Sequence, residues 1–540
     1  MCGYEFGVPK LFLARMQGWV SQRIWPCEPG GMPACHQARL ADNFPRMNLA
    51  ETFAASVQLR PAKVALYWDE SEFTYAQLQS QALEVAQELT TQFAVKPGDR
   101  VGLWLKNRPE FIPAFFGILN AAAVVVPINN FLKPVEVSYI LDDAGIDVLI
   151  TDEELGAQTA ALVATRPSLK VFKVEAAVSQ LPTSNFQLPT PRTESDLAVI
   201  IYTSGTTGRS KGAMLSHGNL LHNVASCRVV LDTLESDRYA VILPLFHSYM
   251  LTVGMLLPLI EGAAMVLIKS LSQPQQMLRE MYQRQATMLP AIPQFYRTLA
   301  HANLPAKLPF RICVSGAAPL PVQVLKDFEA MHQIPIVEGY GLSEASPVVT
   351  KNPFRGVRKP GSIGLPIPNV EVSIQDDSGK ILDANETGEV CVRGGNVMMG
   401  YWNKPEETAK AMRGTWLLTG DIGHRDADGY YYITDRKKDM LLVNGINVYP
   451  REVEEVIHQF PGVKETAVIG IPHARKGEQP LAFIAAADGV TLDEKAIIQF
   501  LKEKLADYKV PKRIVFVPAL PRNATGKILK TELRKSAAAN

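Results

Sequence analysis

Apolar runs alternate with segments of helical spacing from about residue 48. Short apolar runs bounded by turn residues are typical of buried strands, and apolar positions three and four apart are typical of amphipathic helices. The pattern predicts a first series of strands at 64–68, 100–105, 123–127 and 148–151, with helices at 74–89, 109–120 and 134–144. Such alternation favours a parallel sheet covered by helices on both faces.

A second series starts at Leu197. Its predicted strands are 197–201, 263–268, 311–314 and 336–337, and its predicted helices are 217–231, 293–302 and 321–331. The fold class is therefore α/β, with two layered subdomains in one large domain.

The pattern changes after Gly364, where turns separate short strands at 370–374, 388–393 and 430–434. These strands predict a small β-rich subdomain. Helices at 450–459 and 492–505, with strands at 465–471, 482–486 and 513–517, predict a separate α+β domain. We place the large domain at 47–436 and the C-terminal domain at 437–540.

Residues 1–46 differ from the rest, since they hold three of the six cysteines and no clear strand. Apolar side chains at helical spacing, with basic residues nearby, leave a short membrane-surface helix open. We expect a poorly ordered extension instead, and Met47 is the more natural start.

The net charge and the cysteine count exclude several classes of protein. A net charge of +1 gives no nucleic-acid footprint. Six cysteines without a C-x-x-C pair fit a reducing compartment and argue against a zinc site.

The apolar segment 241–268 contains Pro244, His247, Pro258 and Glu261, so it predicts a strand, a helix and a strand rather than a transmembrane span. No signal peptide is visible, and we expect a cytoplasmic protein with membrane association left open.

The segment 202–212 follows a predicted buried strand and combines glycines, hydroxyls and a lysine. Glycines let backbone N–H groups approach an anion, and lysine suits phosphate oxygens. The segment predicts a polyphosphate cradle, although its spacing is not that of a Walker A loop. A solvated turn without a ligand is the alternative.

Three further stretches carry unusual polar groups. Residues 337–344 place Tyr340 among glycines and end on Glu344, a hard oxygen ligand suited to Mg²⁺. Residues 416–421 place Asp421 just after a strand-like run, where a carboxylate could hold ribose hydroxyls. Residues 521–527 place Lys527 on a glycine turn near the C-terminus. Taken singly, each has an ordinary surface interpretation.

Together these motifs resemble the adenylate-forming enzymes, which include acyl-CoA synthetases, firefly-type luciferases and peptide-synthetase adenylation domains. The resemblance runs from about residue 48 to residue 535, in the family's order. Two positions depart from the family pattern: Ser210 stands where proline is usual, and Ser343 stands where threonine is usual. Ser343 keeps a hydroxyl, so neither departure removes an expected role.

The resemblance implies a two-step reaction of a carboxylic acid with MgATP and coenzyme A. The acid becomes an acyl-adenylate with release of pyrophosphate, and a thiol then gives the thioester and AMP. Splitting one difficult step into two easier ones is the logic of covalent catalysis.

The resemblance also implies residue roles. Lys527 is the expected main catalytic residue, bridging the carboxylate and the α-phosphate. Asp421 is expected to bind the ribose with help from Arg436, and Glu344 to bind Mg²⁺ with the Thr203 hydroxyl. The expected phosphate-binding residues are Thr203, Ser204, Gly205, Thr206, Thr207, Gly208 and Lys211. The expected nucleotide-binding residues are Gly316, Ala317, Ala318, Gly339, Tyr340, Gly341, Leu342 and Ser343.

In the family the smaller C-terminal domain swings between two poses. One brings in the C-terminal lysine, and the other brings in a glycine loop that helps to form the thiol tunnel. That loop is 442–447 here, with Gly445 at its centre, and Lys438 matches the hinge position.

The acid itself is less defined. The family's acyl pocket involves the helix after Pro244-x-x-His247, and His247 is expected between pocket and tunnel. The aliphatic side chains that follow favour a medium- or long-chain fatty acid, with an aromatic acid of the coumarate type as the alternative. A luciferase-like oxygenase and an enzyme that loads a separate carrier protein also stay open, as do peripheral membrane contact and a homodimer.

Overall fold

The computed structural model describes residues 47–176, 187–203, 210–269, 273–300, 302, 304, 307–443, 446–473, 477–523 and 527–539. The predicted extension, 1–46, lies outside these residues, and so does its alternative as a surface helix.

Strands and helices alternate through the first part of the chain, as predicted. The helices are α1 (Leu49–Leu59), α2 (Tyr75–Thr91), α3 (Phe111–Asn120), α4 (Pro134–Ala144) and α5 (Gly156–Thr165). The strands are β1 (Val64–Trp68), β2 (Ser71–Thr74), β3 (Arg100–Leu103), β4 (Val124–Pro127), β5 (Val148–Thr151), β6 (Lys170–Lys173) and β7 (Leu197–Thr203).

The second series continues the alternation. Its helices are α6 (His217–Leu231), a π-helical segment (Met250–Leu256), α7 (Leu257–Glu261), α8 (Pro274–Gln283), α9 (Pro293–Ala300) and α10 (Val322–His332). Its strands are β8 (Lys211–Ser216), β9 (Arg238–Val241), β10 (Ala264–Leu267), β11 (Met288–Ala291), β12 (Ile312–Ser315), β13 (Ile336–Gly341), β14 (Val348–Lys351) and β15 (Leu365–Pro366).

Short strands dominate the next segment, which contains β16 (Val370–Gln375), β17 (Gly388–Gly394), β18 (Gly400–Tyr401), α11 (Pro405–Ala411), β19 (Met412–Arg413), β20 (Trp416–Arg425) and β21 (Tyr431–Arg436). The C-terminal part contains β22 (Leu441–Val443), β23 (Ile446–Val448), α12 (Pro450–Ile457), β24 (Val463–His473), β25 (Gly477–Ala486), α13 (Glu494–Lys504), β26 (Arg513–Phe516) and α14 (Lys530–Ala539).

The described strands form four sheets. A seven-stranded sheet has the order β18-β8-β7-β4-β3-β5-β6, and a nine-stranded sheet has the order β15-β14-β13-β12-β11-β9-β10-β1-β2. Both are parallel at their centres, as predicted, but the edges β18–β8–β7, β13–β14–β15 and β1–β2 are antiparallel. One five-stranded sheet contains β16, β17, β19, β20 and β21, and the other contains β22 to β26.

Two helices begin where the sequence places a hydroxyl cap. The Thr74 hydroxyl accepts the Gln77 N–H before α2, and the Ser216 hydroxyl accepts the Asn219 N–H at 3.0 Å before α6. Both satisfy a backbone donor that the helix itself leaves unpaired. One hydrophobic core unites side chains from the strands of both large sheets, so the two layered subdomains pack as one body.

The apolar segment 241–268 is folded as predicted into a strand end, a helical run and a second strand. Gly262 ends α7 with φ of +77°, a left-handed conformation that glycine adopts without strain. The helical run is buried in the core. Among the described residues, none of the helices combines the length and the apolarity that crossing a bilayer requires.

Candidate active site

One cavity of about 1340 Å³ gathers most of the residues that the sequence singles out. Its lining includes Thr203, Lys211, His247, Gly316, Ala317, Gly339, Tyr340, Gly341, Leu342, Ser343, Glu344, Asp421, Arg436, Lys438 and Lys527. Ala318 is not part of this lining. The other expected phosphate-binding residues, Ser204 to Gly208, lie outside the described residues, as does Gly445.

Lys211 is the first residue of β8, so this part of the segment 202–212 is a strand. The antiparallel ladder places Lys211 opposite Thr203, the last residue of β7. Its ammonium makes an ion pair with Glu407 of α11 and lies 5.3 Å from the ring centroid of Tyr401. A cation at the end of two strands, beside the segment 204–209, suits a phosphate group.

Glu344 lies in a short 3₁₀ turn that follows β13. Its Oε1 atom accepts hydrogen bonds from the Tyr401 hydroxyl at 2.9 Å and the Thr203 hydroxyl at 3.4 Å. The second carboxylate oxygen makes no hydrogen bond to the described residues. Sequence reasoning missed Tyr401, because a tyrosine after a glycine carries no distinguishing signal.

Asp421 lies inside β20 rather than just after a strand, which corrects the sequence-based placement. Gly420 precedes it with φ of +71°, a conformation that favours glycine. Asp421 pairs with Arg436 across the β20–β21 ladder, and the guanidinium Nε lies 3.3 Å from its Oδ1. The Tyr340 hydroxyl donates to Oδ2 at 2.5 Å. The expected ribose and adenine ligands are therefore direct neighbours.

Close backbone approaches shape the end of the cavity where the nucleotide is expected. A Cβ atom on Gly316 would come within 3.1 Å of the Tyr249 ring. A Cβ on Gly341 would come within 2.0 Å of the Pro347 carbonyl oxygen. Ala317 adopts φ of +65°, a strained value for a residue with a side chain. Gly316 therefore packs closely against Tyr249, and Gly341 against Pro347.

Lys527 comes from the C-terminal domain and lines the same cavity as Asp421. Asn523 fixes its turn, since its side-chain oxygen accepts the Lys527 N–H at 2.9 Å. Burial, together with the neighbouring cations Arg436 and Lys438 and against the opposing effect of Asp421, lowers the pKa of Lys527 to about 8. The ammonium is thus held in a site where an anionic ligand would stabilise it.

His247 lines the cavity as expected. Burial, with a smaller effect from Lys527, lowers its pKa to about 4. Its Nδ1 accepts the Tyr249 N–H at 3.2 Å. The ring is therefore neutral at physiological pH and orients the start of the following helical segment.

Apolar side chains line another part of the cavity. They are Cys227, Val230 and Leu231 of α6, with Phe246, Tyr249, Val253, Val314, Pro347 and Val348. Of the aliphatic helix expected to form the acyl wall, only Val253 lines the cavity. Met250, Leu251, Met255, Leu256 and Leu257 are fully buried in the core instead. The π-helical segment presents fewer side chains to the cavity than the sequence suggested, and α6 supplies the others.

The hairpin β22–β23 contains the described residues of the expected thiol loop. Leu442 and Ile446 are 48% and 47% exposed. Neither lines the cavity, whereas Lys438, at the expected hinge, does.

Comparisons with known proteins identify the family of this chain. The family profile described as AMP-binding enzyme matches residues 53–402, and that of the AMP-binding enzyme C-terminal domain matches residues 452–527. The long-chain-fatty-acid–CoA ligase of Bacillus subtilis (strain 168) is 34% identical over 558 residues, covering 95% of this chain and 98% of that protein. The feruloyl-CoA synthase of an Amycolatopsis species is 36% identical over 486 residues, covering 88% and 96%.

The crystal structure of ATP-bound MatB from Rhodopseudomonas palustris matches with a TM-score of 0.84 and 33% identity, covering 91% of this chain and 99% of that chain. The match confirms the α/β fold with a large N-terminal and a smaller C-terminal domain. The chain therefore belongs to the AMP-binding, adenylate-forming enzyme family, as an AMP-forming acid–CoA ligase.

Proposed function

We propose that this enzyme activates a medium- or long-chain fatty acid with MgATP and transfers the acyl group to coenzyme A. The observation that carries the proposal is the shared cavity. It places the Lys527 ammonium beside Asp421 and Arg436, and it is also lined by a set of apolar side chains.

In the first half-reaction a carboxylate oxygen attacks the α-phosphorus of ATP. The bond from that phosphorus to the bridging oxygen breaks, and pyrophosphate leaves with the electron pair. Lys527 would offset negative charge between the carboxylate and the α-phosphate. Asp421 would accept hydrogen bonds from the ribose, and Lys211 would hold a terminal phosphate.

The Glu344 carboxylate and the Thr203 hydroxyl would hold Mg²⁺. Their oxygens fit that ion, because Mg²⁺ in phosphate-transfer sites is typically bound by one or two carboxylates together with phosphate oxygens. When bound, the ion would neutralise charge on the phosphates.

In the second half-reaction the sulfur of coenzyme A attacks the carbonyl carbon of the acyl-adenylate. The thiol releases its proton to solvent water, the bond from the carbonyl carbon to the phosphate oxygen breaks, and AMP leaves with the electron pair. We propose that the C-terminal domain rotates about Lys438 between the steps and brings the hairpin β22–β23 to the cavity. The exposure of Leu442 and Ile446 supports this, since it leaves an apolar surface free to dock.

Two observations support a fatty acid. The apolar side chains of α6, Tyr249 and Val253 offer a wall to a hydrocarbon chain. The Bacillus subtilis relative is named a long-chain-fatty-acid–CoA ligase. An aromatic acid is the second candidate, because the Amycolatopsis relative of comparable identity is named a feruloyl-CoA synthase.

The test is pyrophosphate release with MgATP over a panel of acids, each with and without coenzyme A. The panel contains acetate, hexanoate, decanoate, palmitate, benzoate and coumarate. We expect release to peak with an aliphatic acid of medium or long chain, with turnover that depends on coenzyme A. A peak with benzoate or coumarate would replace the substrate, and no release with any acid would refute acyl activation.

A further inference from the structure

Lys351, the last residue of β14, is a buried lysine on the wall of the active-site cavity. Lys351 is 5% exposed, and burial lowers the pKa of its amine to about 7. Lysine is almost never this buried without a partner that compensates for lost hydration. Because Lys351 lies beside the apolar lining, its amine requires such a partner there, either a hydrogen-bond acceptor or an anion.

A glycine on the neighbouring strand opens the path for this side chain. Lys351 lies opposite Gly339 in the β13–β14 ladder. A Cβ on Gly339 would come within 2.8 Å of the Lys351 Cδ and 3.3 Å of its Nζ. The aliphatic stem therefore crosses the face of Gly339, and any side chain there would displace it.

The protein supplies fewer hydrogen-bond acceptors than the Lys351 amine requires. Nζ donates one hydrogen bond, to the Val337 carbonyl oxygen at 2.9 Å, and the described residues give it no second acceptor and no ion pair. An ammonium carries three N–H donors, and even a neutral amine carries two.

The two ionisable groups that interact with this amine, Cys227 and Glu338, do not provide the missing acceptors. Burial raises the pKa of the Cys227 thiol to about 12, so that thiol is neutral. The Glu338 carboxyl is committed to the Leu320 N–H, which it accepts at 3.0 Å. Burial also raises the pKa of Glu338 to about 7, so part of its population is uncharged. Lys351, which lines the cavity, thus keeps a donor that the described residues do not use.

We propose that Lys351 is a specificity-determining residue that binds an oxygen acceptor on the acyl group, remote from the reacting carboxylate. The substrate class is an apolar acid with a second oxygen function: a terminally oxygenated aliphatic chain or a ring that carries a hydroxyl. This inference rests on the proposed function, because it requires the acyl group to occupy the apolar part of this cavity. A plain hydrocarbon end would leave the buried donor unpaired, which costs affinity.

The experiment compares acids that differ only by the remote oxygen. One set is decanoate, ω-hydroxydecanoate and decanedioate, and the other is cinnamate and coumarate. We expect the wild-type enzyme to prefer an oxygenated acid in at least one set by about 10- to 100-fold in kcat/KM for pyrophosphate release. The preferred set identifies an aliphatic or an aromatic source of the acceptor.

The variant Lys351→Met keeps the length of the side chain and removes its donors. In this variant the ratio of kcat/KM for the oxygenated acid to kcat/KM for the plain acid should fall close to one. The change should come chiefly from a lower kcat/KM for the oxygenated acid. Lys326→Met, on the exposed side of α10, is the matched control and should keep the wild-type preference. Thermal unfolding checks that Lys351→Met is folded; replacing a buried, poorly paired amine by an apolar group is commonly tolerated.

Equal or better use of the plain acids by the wild-type enzyme would overturn the inference and leave acyl activation intact. That comparison uses only the wild-type enzyme, so it tests the inference even if Lys351→Met fails to fold. An oxygen preference that Lys351→Met retains would also overturn it. Absence of pyrophosphate release with every acid would overturn the proposed function and this inference together.

Discussion

Lys527 illustrates how single residues depend on their surroundings at this site. Burial and two neighbouring cations destabilise its charged form, while Asp421 stabilises it. An incoming carboxylate and an α-phosphate supply the negative charge that the site lacks. We infer that the site is electrostatically incomplete until the substrates bind, and that Lys527 acts in the first half-reaction.

Lys527→Ala should reduce adenylation by about 100- to 1,000-fold, because it removes a preorganised cation from the developing charge. Thioester formation from a supplied acyl-adenylate should survive. Separate assays of the two half-reactions check this, with Lys512→Ala, an exposed lysine of the same domain, as the control. An equal loss in both half-reactions would remove Lys527 from its proposed role.

The pH dependence follows from the same residue. The pKa of Lys527 is lowered to about 8, so the cationic form is present below that pH and is lost as pH rises through it. The kcat/KM for adenylation, which reports on the free enzyme, should therefore fall above about pH 8. Lys527→Arg should move this fall to higher pH, because guanidinium stays charged. An unchanged profile in that variant would assign the fall to another group.

At the scale of elements, the sequence predicted most helices and strands but not all of the site geometry. The helices 217–231 and 134–144 and the strands 64–68 and 148–151 have their predicted bounds, since caps, prolines and apolar runs mark them clearly. The strand β8 escaped prediction because its apolar run, Ala213 to Leu215, is only three residues long and lies between lysine, glycine and serine. Asp421 was misplaced because a polar residue inside an antiparallel strand resembles the start of a loop.

The cavity contacts show a different limit of sequence reasoning. Glycine-rich motifs indicated residues that line the cavity, but contacts such as Tyr401 to Glu344 join residues far apart in the chain. Hydrophobic periodicity also failed to separate core from pocket wall in the helical segment 250–257. Both faces of a helix inside a large core are apolar, so the pattern carries no orientation.

The glycine at the β13–β14 corner gives a prediction for the elements themselves. Gly341→Ala should lower the free energy of unfolding by about 1 to 3 kcal/mol, because its Cβ would collide with the Pro347 carbonyl oxygen and force β14 to shift. Urea unfolding measures the change. Gly156→Ala is the control, since its Cβ would make only an ordinary 3.7 Å contact. Similar stability of the two variants would mean that the corner is tolerant of a side chain.

At the scale of the whole molecule, the two domains supply different parts of one site. The large domain contributes Glu344, Asp421 and the apolar wall, and the C-terminal domain contributes Lys527. The hairpin β22–β23 belongs to the same C-terminal domain but lies away from the cavity. We propose that this pose serves adenylation and that a second pose serves the thiol step.

Gly445→Leu tests that second pose. Adenylation should stay within about 3-fold of wild type, while transfer to coenzyme A should fall by at least about 10-fold, because a side chain there obstructs the thiol path. The pattern is opposite to that of Lys527→Ala, so each variant serves as the control for the other. Normal transfer to coenzyme A in Gly445→Leu would exclude the hairpin from the mechanism.

The central claim is that this cavity activates a carboxylic acid by adenylation, and exchange of labelled pyrophosphate into ATP without coenzyme A tests it most directly. Only an enzyme that forms acyl-adenylate reversibly exchanges the label in response to an acid. We predict exchange that requires an acid of the preferred class and is lost in Lys527→Ala. Exchange that is independent of added acid, or no exchange with any acid, would contradict the account.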